Sequence, residues 1–262
     1  MSEFLWQNGA RVDRLALDVS TDRLRSGFWL GDGLFETMLV SNGEIFARDR
    51  HLRRLDEAKK RLGFFGKELD VAQGLAAATS WIAGECGQIR LTYLSSEQVI
   101  ITARKHEIPA TELKLVHYPY PKNERSVLAG IKTLSYGENG AALRYAKEQS
   151  ADDVIFTNTA GVVTESALAN LLLWDGDTWW TPSLASGCLA GLTRDLLMEF
   201  FEVKERDFTI DELFGMAALA LASALRDVQP VSHFQGHSYS GLSEVARLRA
   251  EFQDWRAKNP HP

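Results

Sequence analysis

Short apolar-rich runs, separated by turn-forming residues, set the pattern at the start of the chain. Phe4–Trp6 and Phe35–Val40 read as strands, and Asn42-Gly43 is a hairpin signal leading into Glu44–Ala47. The spacing then changes to that of a helix. Leu52, Leu55, Ala58 and Leu62 share one face of a segment ending near Leu62, with Asp49 as its expected cap. A second, alanine-rich helix is predicted over about Val71–Ala83, followed by strands at Ile89–Leu94, Val99–Ala103 and Leu113–His117. Helices and strands mixed in this way predict an α+β (mixed α/β) fold rather than a doubly wound sheet.

Two prolines in His117-Tyr-Pro-Tyr-Pro-Lys-Asn-Glu-Arg125 favour extended chain and block helix, so residues 118–125 are the expected linker. Beyond them the pattern predicts a helix near Asn139–Gln149, a strand at Val154–Thr157, a turn at Asn158–Gly161 and a strand at Val162–Thr164. Leu171–Trp174 and Thr178–Trp180 flank a second hairpin signal, Asp175-Gly176-Asp177. Leu192, Leu196, Leu197 and Phe200 line one face of a helix that starts just after Gly191. The expected organisation is a smaller N-terminal domain over residues 1–117, the linker, and a larger C-terminal domain over residues 126–262.

Composition narrows the classes. The chain has 262 residues, 45% of them hydrophobic, enough for one large core or two modest ones. Its formal net charge is −6 with the basic residues scattered, so neither nucleic acid nor an anionic membrane is an expected partner. The apolar run Ala217–Ala224 is too short to span a bilayer, and the N-terminus has no secretory pattern. The cysteines, Cys86 and Cys188, lie in no metal or redox spacing, so a cytoplasmic location is expected. A small-molecule substrate is the expected partner.

Single residues say less. A lone lysine is ordinarily a solvated charge, but Lys132 sits in Gly-Ile-Lys-Thr-Leu-Ser-Tyr, between apolar and small hydroxylated neighbours. Partial desolvation of that kind is what a nucleophilic lysine requires. Glu165 ends Val162-Val-Thr-Glu as either an exposed strand end or a functional carboxylate. Gly191-Leu-Thr193 opens a helix, an ordinary start or a seat for phosphate. Arg54 lies about 90° from the centre of the Leu52/Leu55 stripe and can reach inward, whereas Arg53 points to water. Gly31-Asp-Gly33 lacks the third glycine of a dinucleotide fingerprint, and no nucleophile elbow occurs. The six histidines form no metal pattern, and His233 and His237 are read as lying in a polar loop.

Taken in order, these segments resemble the class IV aminotransferase family, the fold-type IV enzymes that use pyridoxal 5'-phosphate (PLP). Leu30-Gly-Asp-Gly-Leu-Phe-Glu-Thr37 resembles the GDGxFE signature. His51-Leu-Arg-Arg-Leu55 resembles the HxxRL helix, which implies that Arg54 binds the cofactor phosphate. Ile131-Lys-Thr-Leu-Ser-Tyr, followed by Asn139, resembles the segment of the Schiff-base lysine, which makes Lys132 the catalytic residue. Gly161-Val-Val-Thr-Glu-Ser-Ala-Leu-Ala-Asn170 resembles GxVxExxxxN, whose glutamate pairs with the ring nitrogen, here Glu165. Leu189-Ala-Gly-Leu-Thr-Arg194 resembles the LPGxTR turn, placing Leu192 and Thr193 on the phosphate. Ser223 and Ala224 fall on a second phosphate loop. The resemblance implies a two-domain fold like that of D-amino acid aminotransferase, with the larger domain binding PLP, and a homodimer.

Within the family the motifs diverge. The tyrosine usual five residues after the lysine in branched-chain enzymes is replaced by Gly137, and the Arg-Gly loop of D-amino acid aminotransferases is absent from Ile89–Ser96. Lys132–Asn139 and Ala224–Val231 are most similar to 4-amino-4-deoxychorismate lyases, which implies release of pyruvate and formation of p-aminobenzoate for folate biosynthesis. The alternatives are an aminotransferase acting on D-amino or branched-chain amino acids, and a catalytically silent binding protein. The presence of Lys132, Glu165 and Arg54 together argues against the last. Arg90 and Arg226 are candidates to replace the missing carboxylate grip, each with a purely structural role as the alternative.

Overall fold

A computed structural model of the chain describes residues 4–13, 27–64 and 71–262. They divide into two units: 1–107 with 131–136 and 259–262, and 108–130 with 137–258.

The first unit is built on six antiparallel strands: β1 (Phe4–Gln7), β2 (Ala10–Arg11), β3 (Gly33–Ser41), β4 (Glu44–Ile45), β5 (Gly87–Leu94) and β6 (Val99–Lys105). Their order is β2-β1-β6-β5-β3-β4. The helices are α1 (Gly27–Leu30), α2 (Arg48–Leu62) and α3 (Ala72–Ile82). Leu55 of α2 and Leu75, Ala78 and Ile82 of α3 meet Met38, Ile89, Leu91 and Ile101 in one core, with Leu52, Ala58 and Leu62 packed at its margin. The expected cap at Asp49 is displaced. Helix α2 starts at Arg48, after Ala47 in left-handed backbone (φ 52), and no side chain caps it. The Ala47 amide instead donates to Pro260 O at 2.9 Å, so the chain's end occupies the place next to the cap.

The short segment Ile131–Tyr136 belongs to this first unit. It runs beside the start of β3: the Phe35 amide donates to Lys132 O (3.1 Å) and the Leu134 amide to Gly33 O (2.8 Å). Gly33 permits this approach, because a Cβ there would lie 2.7 Å from the Leu134 side chain and 2.6 Å from Tyr93 O.

The second unit holds a nine-stranded mixed sheet and four helices. Its strands are β7 (Leu113–His117), β8 (Asp153–Thr157), β9 (Val163–Ser166), β10 (Asn170–Trp174), β11 (Trp179–Thr181), β12 (Lys204–Glu205), β13 (Ala218–Ser223), β14 (Asp227–Phe234) and β15 (His237–Ser238). The order is β12-β11-β10-β13-β14-β7-β8-β9, with β15 paired to β14. β7 runs parallel to both β14 and β8, while β13 is antiparallel to β10 and β14. The helices are α4 (Gly137–Glu148), α5 (Leu192–Phe200), α6 (Ile210–Leu213) and α7 (Leu242–Lys258). Leu171, Leu173, Leu219, Leu221, Val231 and Phe234 form the main core of this unit, and Ala142, Ala146, Val154 and Phe156 form a second beneath α4.

The run Ala217–Ala224 therefore contributes a central strand, β13, buried almost throughout. The reading of His233 and His237 as loop residues is corrected. They lie on β14 and β15, on either side of the tight turn Gln235-Gly236, whose residues both have positive φ. Among the described residues no helix is long and apolar enough to cross a membrane. Among the described residues, neither Cys86 nor Cys188 forms a disulfide.

Candidate functional site

In the first unit the site begins with a buried carboxylate. Glu36 on β3 is 1% exposed, and in such a place an ion must be compensated. Arg54, nearly two turns into α2, supplies the compensation. Its Nε donates to Glu36 Oε1 at 2.8 Å and its Nη2 to Oε2 at 2.6 Å. His51, a turn earlier on the same helix, places Nδ1 2.7 Å from Oε2. Burial pushes the Glu36 carboxyl up, but Arg54 and the His51 hydrogen bond outweigh it and hold it at about 2. Burial moves the His51 imidazole down, and the charges of Arg54 and Lys132 add to that shift. His51 is therefore a neutral ring donating Nδ1–H. The bidentate pair locks the plane of the Arg54 guanidinium, a cation held in position before any ligand arrives. Arg53 is exposed, as its place on the helical wheel implies.

Lys132 is half-buried, its Nζ 4.4 Å from the centre of the Phe35 ring and 6.0 Å from that of Tyr136. Those two rings meet edge to face at 5.3 Å. Arg90 on β5 lies over the same Phe35 ring, its guanidinium carbon 3.7 Å from the ring centre. Burial pulls Arg90 below its ordinary value, and among the described residues no carboxylate compensates it. Arg226, the other candidate grip, donates to Gln229 Oε1 at 2.6 Å in the second unit.

The second unit brings Glu165, Leu192 and Thr193 into one hydrogen-bonded assembly. Glu165 on β9 is 8% exposed. Its Oε1 accepts from Lys122 Nζ at 2.7 Å and its Oε2 from the Leu189 amide at 3.0 Å. Asn170, from the same sequence motif, donates to Leu189 O at 2.8 Å. Leu189 is thus clamped at both its amide and its carbonyl. Two residues on, Gly191 passes so close to Asn170 Oδ1 that any Cβ would collide with it. This clamp sets where α5 begins. The helix has no side-chain cap, and among the described residues nothing accepts from the amides of Leu192 and Thr193. Arg194, last in the same motif, is fully buried and ion-paired to Glu205, with Nη2 also donating to Pro182 O, so it braces the turn from behind. Cys188 beside Glu165 is pushed up to about 11 by burial and by the carboxylate, which leaves it an inert thiol. Ser223 and Ala224 are half-buried at the turn from β13 to β14, where the Arg226 amide donates to Ser223 O at 3.1 Å, and α5 packs against β13.

These donor sets fit PLP. An aldehyde requires a lysine, a pyridine nitrogen a buried carboxylate, and a phosphate either an uncapped helix start or a fixed cation, and each of these is present within one unit or the other. Among the described residues, no group of three or more His, Cys, Asp or Glu could hold a metal ion. Four supporting residues escaped the sequence reading. Glu36, His51 and Asn170 lay inside the motifs but without roles, and Lys122 lay in the expected linker.

Residues 33–234 match the family described as amino-transferase class IV. The chain is 28% identical over 258 residues to the bifunctional aminodeoxychorismate lyase / D-amino acid transaminase of Mycobacterium tuberculosis, covering 86% of this chain and 89% of the other. It is 24% identical over 249 residues to D-alanine aminotransferase of Listeria monocytogenes, covering 84% of each. Among solved structures it resembles a hypothetical aminotransferase from M. tuberculosis in PLP-bound form, at 24% identity and TM-score 0.82, over 97% of this chain and 98% of that one.

Proposed function

The chain belongs to the class IV aminotransferase family of PLP-dependent, fold-type IV enzymes, and within it we propose that this protein is a 4-amino-4-deoxychorismate lyase. The observation that carries this reading is the surroundings of Lys132. An amine set against two aromatic rings, with a second cation over one of them, suits a six-membered ring that carries carboxylates better than a small aliphatic amino acid. The bifunctional relative gives the reading further support.

In this proposal Lys132 holds the cofactor, Glu165 meets its ring nitrogen, and its phosphate is held by Arg54, the Leu192 and Thr193 amides, and the Ser223–Ala224 turn. PLP, when bound, supplies the electron sink that takes up the pair left behind by a departing proton. The chain's own residues do the rest. Once the substrate amine has taken its place, Lys132 Nζ is the base that removes the proton from the amine-bearing carbon. Glu165 is held in place for the ring nitrogen by Lys122 Nζ and the Leu189 amide. The Arg54–Glu36 pair holds the phosphate end still, so that the reacting carbon remains within reach of Nζ. The C–O bond to the enolpyruvyl group breaks and the ring becomes aromatic. Pyruvate takes up one proton, equal to the one Lys132 removed, and no co-substrate is consumed.

A second reading, aminotransfer from D-amino acids, is favoured by the similarity to D-alanine aminotransferase. Incubation of the PLP-loaded protein with aminodeoxychorismate and no keto acid separates the two. Release of p-aminobenzoate and pyruvate in equal amounts is expected. No release, with amino transfer from D-alanine to 2-oxoglutarate, would overturn the lyase reading.

A further inference from the structure

Asn259–Pro262 follow α7 in the chain but belong to the first unit, the one that holds Arg54. There they lie at the start of α2. The Ala47 amide donates to Pro260 O at 2.9 Å, and Arg50 Nε donates to Pro262 O at 3.0 Å. His261 Nε2 stands 3.6 Å from Glu44 Oε2, an exposed pair that adds little.

The start of α2 needs such support. A helix leaves its first amides without partners inside the helix, and a side chain ordinarily covers one of them. No side chain does so here, and Ala47 stands in left-handed backbone at φ 52, which alanine adopts only under strain. Ala47 is also 2% exposed, so its amide requires a partner within the protein. Pro260 O is that partner. The carbonyl of the same residue accepts from the His51 amide at 3.2 Å, the bond that closes the first turn. Ala47 is therefore held at its amide by the terminal segment while its carbonyl begins the helix.

The first turn carries His51, whose Nδ1 lies 2.7 Å from Glu36 Oε2, the same oxygen that accepts from Arg54 Nη2 at 2.6 Å. If Ala47 relaxes to negative φ, its carbonyl turns away from His51 and the turn unwinds. Glu36 then loses the donor that fixes it, and Arg54 loses its fixed partner.

We propose that Asn259–Pro262 is a positioning strap: by holding Ala47 it keeps the first turn of α2 wound, and so keeps Arg54 set for the phosphate of PLP. This rests on the assignment of Arg54 to that phosphate. The strap itself touches no ligand, and its influence is confined to the phosphate end of the site.

The test compares the whole chain with one shortened to end at Lys258. Without cofactor, hydrogen exchange at the His51 amide should quicken about tenfold or more in the shortened chain, as for the loss of a helix cap. The amides of Ile89 and Leu91 on β5 should stay within about twofold, a pattern that a general loss of stability would not give. The Kd of PLP should rise about fivefold or more, while that of pyridoxal, which lacks the phosphate, should change less than about twofold. Unchanged exchange at His51 overturns the strap. Equal weakening of PLP and pyridoxal, or of neither, overturns its link to the phosphate. If the shortened chain fails to fold, Pro260→Gly loosens the backbone that presents the acceptor; wild-type exchange at His51 and a wild-type ratio of the two Kd values in that variant also overturn the proposal. Failure of the underlying assignment shows separately, because Arg54→Met in the whole chain would then leave the ratio of PLP to pyridoxal affinity unchanged.

Discussion

The Glu36–Arg54–His51 cluster gives a prediction whose size follows from the structure. In Glu36→Gln the carboxylate is removed, while Arg54 keeps its charge and loses its bidentate partner. Glu36 is held at about 2, against an ordinary value of 4.5. At about 1.4 kcal/mol per unit, the folded protein draws roughly 3 kcal/mol from the ionised form at neutral pH. That is the range observed when one partner of a buried ion pair is removed. The sign follows from the downward shift: this stability is complete above about pH 4.5 and is lost as pH falls toward 2. Urea denaturation, followed by tryptophan fluorescence at pH 7 and at steps down to pH 3, measures it. Glu36→Gln should be less stable by roughly 2–4 kcal/mol at pH 7, with Tm lower on the order of 10 °C, and the gap should narrow steadily below pH 4.5. A variant as stable as wild type at pH 7, or a gap that does not change with pH, would refute the reasoning. The first result would mean the pair stores no stability, the second that the loss is steric.

Other expectations concern cofactor and turn. Borohydride reduction after PLP loading should fix the cofactor to the peptide containing Lys132, as read by mass spectrometry, and Lys132→Ala should abolish that label; a label that persists elsewhere refutes the assignment. Glu165→Gln should lower turnover on the order of 100-fold while the protein still melts cooperatively; wild-type turnover would exclude a role at the ring nitrogen. Gly191→Ala forces a Cβ into Asn170 Oδ1 and should cost about 1–3 kcal/mol and weaken PLP binding, whereas unchanged Kd and Tm would show that the clamp does not set the turn. His51 has a lowered pKa, so acidification below its unfolded value should erode stability as the unfolded chain binds the extra proton. His51→Gln should flatten the stability profile between about pH 7 and 5, and an unaltered profile would contradict a buried neutral imidazole.

Elements with a clean local signature were legible in the sequence, buried strands β8 and β10 between turn signals among them, whereas β13 and α7 were not. Helix α2 shows itself through Leu52, Leu55, Ala58 and Leu62, and the β3–β4 hairpin through Asn42-Gly43. Strand β13 has no polar face to alternate with, because neighbours on both sides of the sheet cover it, so Ala218–Ser223 looked merely apolar. Helix α7 buries only Val245, Leu248 and Phe252 among charged residues, a stripe too thin to stand out. The site divides in the same way. Lys132, Arg54, Glu165 and Thr193 stand in ordered motifs that sequence alone can match. Their supports are long-range pairings: Glu36 meets Arg54 across 18 residues and Lys122 meets Glu165 across 43. Only the folded strand order brings such groups together.

The most direct test of the proposed reaction counts turnovers. PLP-loaded protein, freed of excess cofactor and of every keto acid, is mixed with a large excess of aminodeoxychorismate, and pyruvate is measured per mole of protein. If Lys132 serves a lyase, each cycle ends with the cofactor as it began, and many equivalents of pyruvate should form alongside equal p-aminobenzoate. Pyruvate absent throughout, with the cofactor converted once to its amine form and the reaction then stalled until a keto acid is added, would contradict the lyase and leave an aminotransferase in its place.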